Sequence, residues 1–194
     1  MKTSLMSRPN TQSIRRVLVI LPSSIVLFCH GAIGQQILKP VDRESSVRFT
    51  IKNFGLRVDG ELHGLDGRII FNPDDLPSSR FEVTVKSASI STGNSARDNH
   101  LRKEDYLDVS RYPTIQFMSS QVLQDQRTGT YMVKGDLTIK GRRKSVTIPF
   151  TWERKAEGLT FTGSLTINRL DFDVGGSSIS LSDHLTLSLA VHCR

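Results

Sequence analysis

From Lys39 onward, apolar and polar residues alternate with a period of two. Val47, Phe49 and Ile51 are interleaved with Arg48, Thr50 and Lys52, and Phe81, Val83 and Val85 with Glu82, Thr84 and Lys86. The same parity joins Ile115 to Phe117, Tyr131 and Val133 to Leu137 and Ile139, Val146 and Ile148 to Phe150 and Trp152, and Leu185 and Leu187 to Leu189 and Val191. Successive side chains of an extended strand point to opposite faces, so this alternation predicts strands with one buried and one solvated side. The runs are separated by turn chemistry at Asn53-Phe54-Gly55, Asn72-Pro73-Asp74-Asp75, Arg127-Thr128-Gly129, Gly141-Arg142-Arg143 and Glu157-Gly158. Short turns between about eight strands predict an all-β domain built as an antiparallel meander or up-and-down barrel. One segment breaks the rhythm. Residues 95–108 are polar and helix-compatible, with Asn94 or Ser95 as N-cap, and end before Tyr112-Pro113, which returns the chain to extended backbone.

Four glycines fall in phase with the apolar face: Gly60, Gly67, Gly135 and Gly163. Two explanations stand side by side. Closing a sheet needs glycine kinks at its corners, and a lumen meant for a guest needs positions without side chains. A barrel of about eight strands is at the size where the interior is either filled or holds one small ligand.

The N-terminus changes the charge argument. Lys2, Arg8, Arg15 and Arg16 precede a short apolar stretch (residues 17–29, interrupted by Pro22, Ser23 and Ser24), and Ala32-Ile33-Gly34 offers small residues for cleavage. Residues 1–34 therefore read as a signal peptide and 35–194 as one exported domain, periplasmic in location. The whole chain carries 26 basic and 19 acidic residues; the four basic and no acidic residues of 1–34 leave 22 against 19, or +3, in the remainder. So small an excess removes the support for a nucleic-acid partner. Cys193 is the lone cysteine after residue 34, so no intramolecular disulfide is expected there, and pairing between chains, hence a homodimer, stays open.

Candidate chemistry is sparse. His63, His184 and His192 show no metal-ligand spacing, and no nucleophile-elbow or phosphate-loop pattern occurs, so no catalytic residue, metal or cofactor is expected beyond a bound lipid. Arg97, Asp98 and His100 form the densest polar cluster. They are read either as contacts to a ligand headgroup or as charges that tie the helix to a neighbour such as Arg169 or Asp171. The basic run at 140–144 (KGRRK) is a solvated hairpin turn or a transient contact with an anionic membrane surface.

Several motifs then occur together in order: Ser87-x-Ser89-Ile90-x-Thr92, Arg97-Asp98-x-His100-Leu101, Tyr106-Leu107-Asp108-Val109, Tyr112-Pro113-Thr114-Ile115-Gln116-Phe117, Gly135-Asp136-Leu137-Thr138-Ile139-x-Gly141 with Val146, and Ile167-Asn168-Arg169-x-Asp171-Phe172. Over residues 38–192 the chain resembles the YceI-like polyisoprenoid-binding family. It departs from the family pattern at Asn53, where many members carry histidine, at Leu62, where an aromatic is usual, and at Asp173, where glycine often follows the Asp-Phe pair. The resemblance implies an extended lipocalin-like antiparallel barrel whose tunnel holds a long isoprenoid such as a quinone or polyprenyl phosphate. Parity assigns Val58, Leu62, Phe81, Val83, Phe117, Val133, Phe150, Trp152, Phe161 and Leu187 to the tunnel wall, with Arg97, His100 and Arg169 as polar candidates at its mouth. Two alternatives remain: an envelope stress or interaction protein with a filled barrel, and a lipid-acting hydrolase using His100, Asp98 or Asp171.

Overall fold

The computed structural model describes residues 36–194, so the signal-peptide expectation for 1–34 lies outside the described residues. Ten strands form one antiparallel sheet: β1 (Ile37–Leu38), β2 (Ser46–Asn53), β3 (Leu56–Leu62), β4 (Asp66–Ile70), β5 (Arg80–Lys86), β6 (Thr114–Gln124), β7 (Tyr131–Ile139), β8 (Arg142–Lys155), β9 (Gly158–Asn168) and β10 (Leu181–Cys193). About eight strands were expected; the structure has ten, of which β1 is only two residues long. The spatial order is β1-β4-β5-β6-β7-β8-β9-β10-β2-β3, so β5 to β10 form a meander and the β2–β3 hairpin folds back beside β10. The sheet curls into a half-barrel whose two free edges are β1 and β3.

Backbone pairing stitches the seam between those edges. The Glu61 amide donates to the Ser91 carbonyl at 2.8 Å and the Ser91 amide returns to Glu61 at 3.0 Å, which brings the segment after β5 onto the β3 edge. At the other end the chain leaves β1 and crosses to β10. There Lys39 and Arg194 exchange amide-to-carbonyl bonds of 2.7 and 3.0 Å, and the Val41 amide donates to the His192 carbonyl. An unpaired strand edge is a template for wrong partners, and these contacts cover both edges in part.

The helical segment is shorter than expected. Helix α1 (Ser95–Leu101) begins at Asn94, whose side chain accepts from the Arg97 amide at 3.0 Å, satisfying one of the orphan donors of the first turn. It stops at Leu101 because the chain then folds through a series of turns in which Asp108 adopts a left-handed φ of 44°. This segment, with the 3-10 turn Arg169–Phe172, caps one end of the half-barrel, called the mouth here. Asp173, where glycine often stands in the family, sits at φ 55°, a conformation that favours glycine.

Two of the inward glycines resolve the question posed by their phase. At Gly135 an added Cβ would run into the Met118 carbonyl oxygen and the Ser119 backbone, next to the register shift between β6 and β7. At Gly60 it would overlap the ring of Phe49 on the partner strand. The volume these glycines release is taken by neighbouring backbone and side chain, so they bend and tighten the sheet and do not open the lumen.

Candidate functional site

The lumen divides along its length. At the closed end, the strands bring five aromatic rings together around Phe71, which lies just after β4. Its ring centroid is 5.3 Å from Phe161, 5.4 Å from Trp152, 5.7 Å from Tyr131, 6.0 Å from Phe150 and 6.2 Å from Phe81. Most of these pairs meet edge to face, the arrangement favoured by the ring quadrupole, so the cluster is a packed plug. Cys193 is fully buried near this end, and burial pushes its thiol up to about 12. The chain-to-chain disulfide left open by the sequence would require the end of β10 to open from Leu159.

Between the plug and the mouth lie two apolar chambers. The outer one, about 140 Å³, is walled by Phe49, Ile51, Val58, Ile167, Leu181 and Leu185 and roofed by Leu101, Tyr106, Leu107, Phe172 and Val174. The inner one, about 120 Å³, is walled by Val47, Val83, Val85, Phe117, Leu137, Ile148, Leu165, Leu189 and Val191. Leu62, Ile115, Ile139 and Leu187 line both, so the two chambers abut through four shared side chains. A cavity of roughly 10–15 Å³ by this kind of measure holds one water, and walls this apolar offer water few partners.

The residues proposed from parity divide accordingly. Val58, Leu62, Val83, Phe117 and Leu187 line the chambers. Phe81, Phe150, Trp152 and Phe161 stand in the aromatic plug, and Val133 is buried in the core without lining either chamber. Sequence reasoning missed Phe71, which belongs to no strand, and the roof residues Leu101, Tyr106 and Leu107, which lie in a segment read as polar helix. Asn53 and Leu62, two of the departures from the family pattern, both line the outer chamber.

The polar candidates at the mouth have different surroundings. Arg97 lines the outer chamber and donates from Nε to the Thr92 hydroxyl at 2.7 Å and from Nη2 to the Thr92 carbonyl at 3.0 Å. Asp98 is buried and accepts from the Thr92 amide and hydroxyl, so the helix is tied to residue 92 rather than to Arg169 or Asp171. Arg169 is 2 % exposed and gives all three nitrogens to the 174–183 loop: Nε to Ser182 O, Nη1 to Val174 O and Gly176 O, Nη2 to Leu181 O and Asp183 Oδ1. His100 is exposed and packs edge-on against Tyr106 at 4.8 Å, away from the chamber lining. The basic run of 140–144 forms an exposed hairpin turn between β7 and β8, in which Lys140 donates to the Asp173 carbonyl at 2.8 Å and Arg142 pairs with the Asp173 carboxylate at 2.6 Å. Among the described residues, no three of His, Cys, Asp and Glu converge as a cation site.

Comparison with known proteins follows the same outline. A YceI-like domain matches residues 39–193, all of the sheet except the ends of the described chain. The chain belongs to the YceI-like family. A UPF0312 protein of Vibrio cholerae is 29 % identical over 143 residues, covering 69 % of this chain and 75 % of its own length. Among solved structures, BcnA of Burkholderia cenocepacia superposes with a TM-score of 0.72 at 25 % identity, over 77 % of this chain and 96 % of BcnA. A polyisoprenoid-binding domain from Saccharophagus degradans, implicated in plant cell wall breakdown, shares the fold at a TM-score of 0.64 and 13 % identity, over 81 % of this chain and 97 % of that domain. The chain thus shares the curled antiparallel half-barrel of these structures, and in this member two apolar chambers lie between the mouth and the plug.

Proposed function

We infer that this chain is an exported, non-catalytic binder and carrier of a long-chain isoprenoid lipid, of the quinone or polyprenyl phosphate type. The pair of abutting apolar chambers carries the reading, because a tail lying in them exchanges water for Leu, Ile, Val and Phe side chains along its whole length. Each buried CH₂ contributes about 0.8 kcal/mol, so a long tail binds tightly with little polar recognition. The guest class is supported by the fold shared with the polyisoprenoid-binding domain of Saccharophagus degradans. A carrier fits better than a hydrolase because Asp98 is engaged by Thr92 and His100 packs on Tyr106, so neither is poised as an acid or base toward the chambers. Export and a periplasmic location rest on residues 1–34, and cell fractionation tests them.

A second reading, an interaction protein with a filled barrel, is favoured by the aromatic plug, which shows that part of the lumen is packed with the protein's own side chains. Mass spectrometry of an organic extract of the gently purified protein separates the two. A stoichiometric isoprenoid establishes the carrier. A blank, repeated after incubation with quinones and polyprenyl phosphates, leaves the interaction protein.

A further inference from the structure

Five large apolar side chains are exposed among the described residues, and three of them fall on one rim of the mouth. Phe54 is 78 % exposed, Leu56 72 %, and Ile179 stands fully in solvent. The β2–β3 turn and the loop before β10 are held side by side, because the Phe54 amide donates to the Ser180 carbonyl at 2.8 Å. The fold gains little from these side chains. Phe54 occupies the first central position of a two-residue hairpin turn at φ 49°, followed by Gly55 at 75°. That turn type favours asparagine or aspartate before glycine, and a bulky aromatic in the left-handed region is strained. Among the described residues, this largely exposed aromatic ring packs against no other ring.

The rim is also continuous with the outer chamber. Leu56 shares the parity of Val58 and Leu62, so the apolar stripe of β3 runs from the lumen out to the turn. Asn53, which lines the chamber, pairs with Leu56 on one side and with Leu181 on the other. One step outside the turn, Lys52 lies directly across from Arg57, two like charges opposed on neighbouring strands. Such a pair is unfavourable by itself; Asp59 offsets the Arg57 side, accepting from its Nε at 2.8 and 2.9 Å, and leaves Lys52 as the exposed cation beside the turn. Nearby acidic groups are engaged inside the protein: Asp59 by Thr50 and Arg57, Asp183 by Arg169.

The geometry points to a membrane-docking tip: Phe54, Leu56 and Ile179 enter the interface of a lipid bilayer, Lys52 meets its anionic headgroups, and the mouth is thereby set against the surface from which a lipid guest is taken. Exposed apolar side chains next to a basic residue are the combination that holds a protein at an anionic membrane surface. The guest in this statement rests on the lipid-binding reading; the docking itself does not.

The test uses a reporter at the tip. The protein has a single tryptophan, Trp152, inside the plug. The full chain carrying Trp152→Phe and Phe54→Trp places the sole indole on the rim. It is mixed with vesicles of phosphatidylcholine, with or without phosphatidylglycerol, in which the acyl chains of one lipid are brominated. The expected result is a blue-shifted emission quenched by bromine, stronger with phosphatidylglycerol and reduced about tenfold in apparent vesicle affinity by adding Leu56→Ser and Ile179→Ser. Wild-type Trp152 is expected to stay unquenched. An indole at position 54 that remains solvent-like with every vesicle overturns the proposal, as does quenching that the two serine substitutions leave unchanged; retention of co-purified lipid in either case keeps the carrier reading. Tip quenching without any co-purified or loaded lipid does the reverse, upholding the docking tip and removing the carrier.

Discussion

Arg169 allows the two roles open to a mouth arginine, headgroup contact and loop anchor, to be told apart by stability. Its five hydrogen bonds hold four backbone carbonyls and one carboxylate of the loop that carries Val174 and Leu181 into the outer chamber. Removing a charged donor forfeits about 1.5–3 kcal/mol per bond in isolation. These bonds are not additive, however, because the loop is partly exposed and water can replace some of them. Breaking a buried charge network typically costs about 3–5 kcal/mol, the range expected for Arg169→Ala. For a domain of this size each kcal/mol moves Tm by about 2–4 °C, so a loss of about 4 kcal/mol predicts a fall of roughly 8–16 °C in calorimetry. Arg169→Lys keeps the charge but cannot reproduce the planar fork, and should show at least half of the loss. If Arg169→Ala shifts Tm by less than about 3 °C while bound lipid disappears, the anchor argument fails and headgroup contact replaces it.

Leu187 lines both chambers, so Leu187→Trp should lower the lipid recovered per protein several-fold with a change in stability of about 1–3 kcal/mol at most, read by mass spectrometry beside thermal unfolding. Gly135→Val should destabilise by about 3 kcal/mol or more in urea titration, because the new side chain meets backbone of β6; lost lipid with unchanged stability would show that the glycine serves the lumen after all. Phe54→Asn should raise stability by about 1 kcal/mol, since asparagine suits the left-handed turn and no packing is lost, and an unchanged or lower urea midpoint would count against strain there. Burial raises the Cys193 thiol from 9.0 to about 12, so the folded chain keeps a proton that the unfolded chain releases. Its contribution to stability is intact below about pH 9 and declines as pH rises toward 12; Cys193→Ala should flatten the alkaline limb of the urea midpoint against pH.

The strands were legible because one buried and one wet face leave a period-two record in side chains. The seam left none: the Glu61–Ser91 and Lys39–Arg194 contacts are backbone to backbone, and backbone pairing does not select a side-chain pattern. The same distinction explains the candidate site. Parity placed Phe81, Phe150 and Phe161 on the inner face, where they are. Parity says nothing of depth along a strand, and depth decides that they join the plug while Val83 and Phe117 line the inner chamber. Phe71 was passed over, and Tyr106 was seen only as part of a motif and not as a lumen residue, because each lies in a turn-rich segment whose polar neighbours dominate the reading. The inward glycines were visible as an anomaly, but only the approach of Met118 and Phe49 shows what fills their space.

The plug gives the lumen a direction. Along β10 the outer chamber begins at Leu181 and the inner one ends at Val191, ten residues later. At about 3.3 Å per residue that is roughly 33 Å along the strand, or about 25 Å of depth for strands tilted by some 35–45°. Phe71 and its neighbours occupy the far end, so a tail entering from the mouth would stop there. It gains about 0.8 kcal/mol per methylene-sized group as it advances and gains nothing further once it meets the aromatic rings. On the carrier reading, the polar end of the guest would lie beside Thr92 and Arg97, where Arg97 is held by Thr92 through Nε and Nη2. Selection in such a site acts first on the length and flexibility of the tail, through how much of the lumen it fills, and only afterwards on the chemistry of the head.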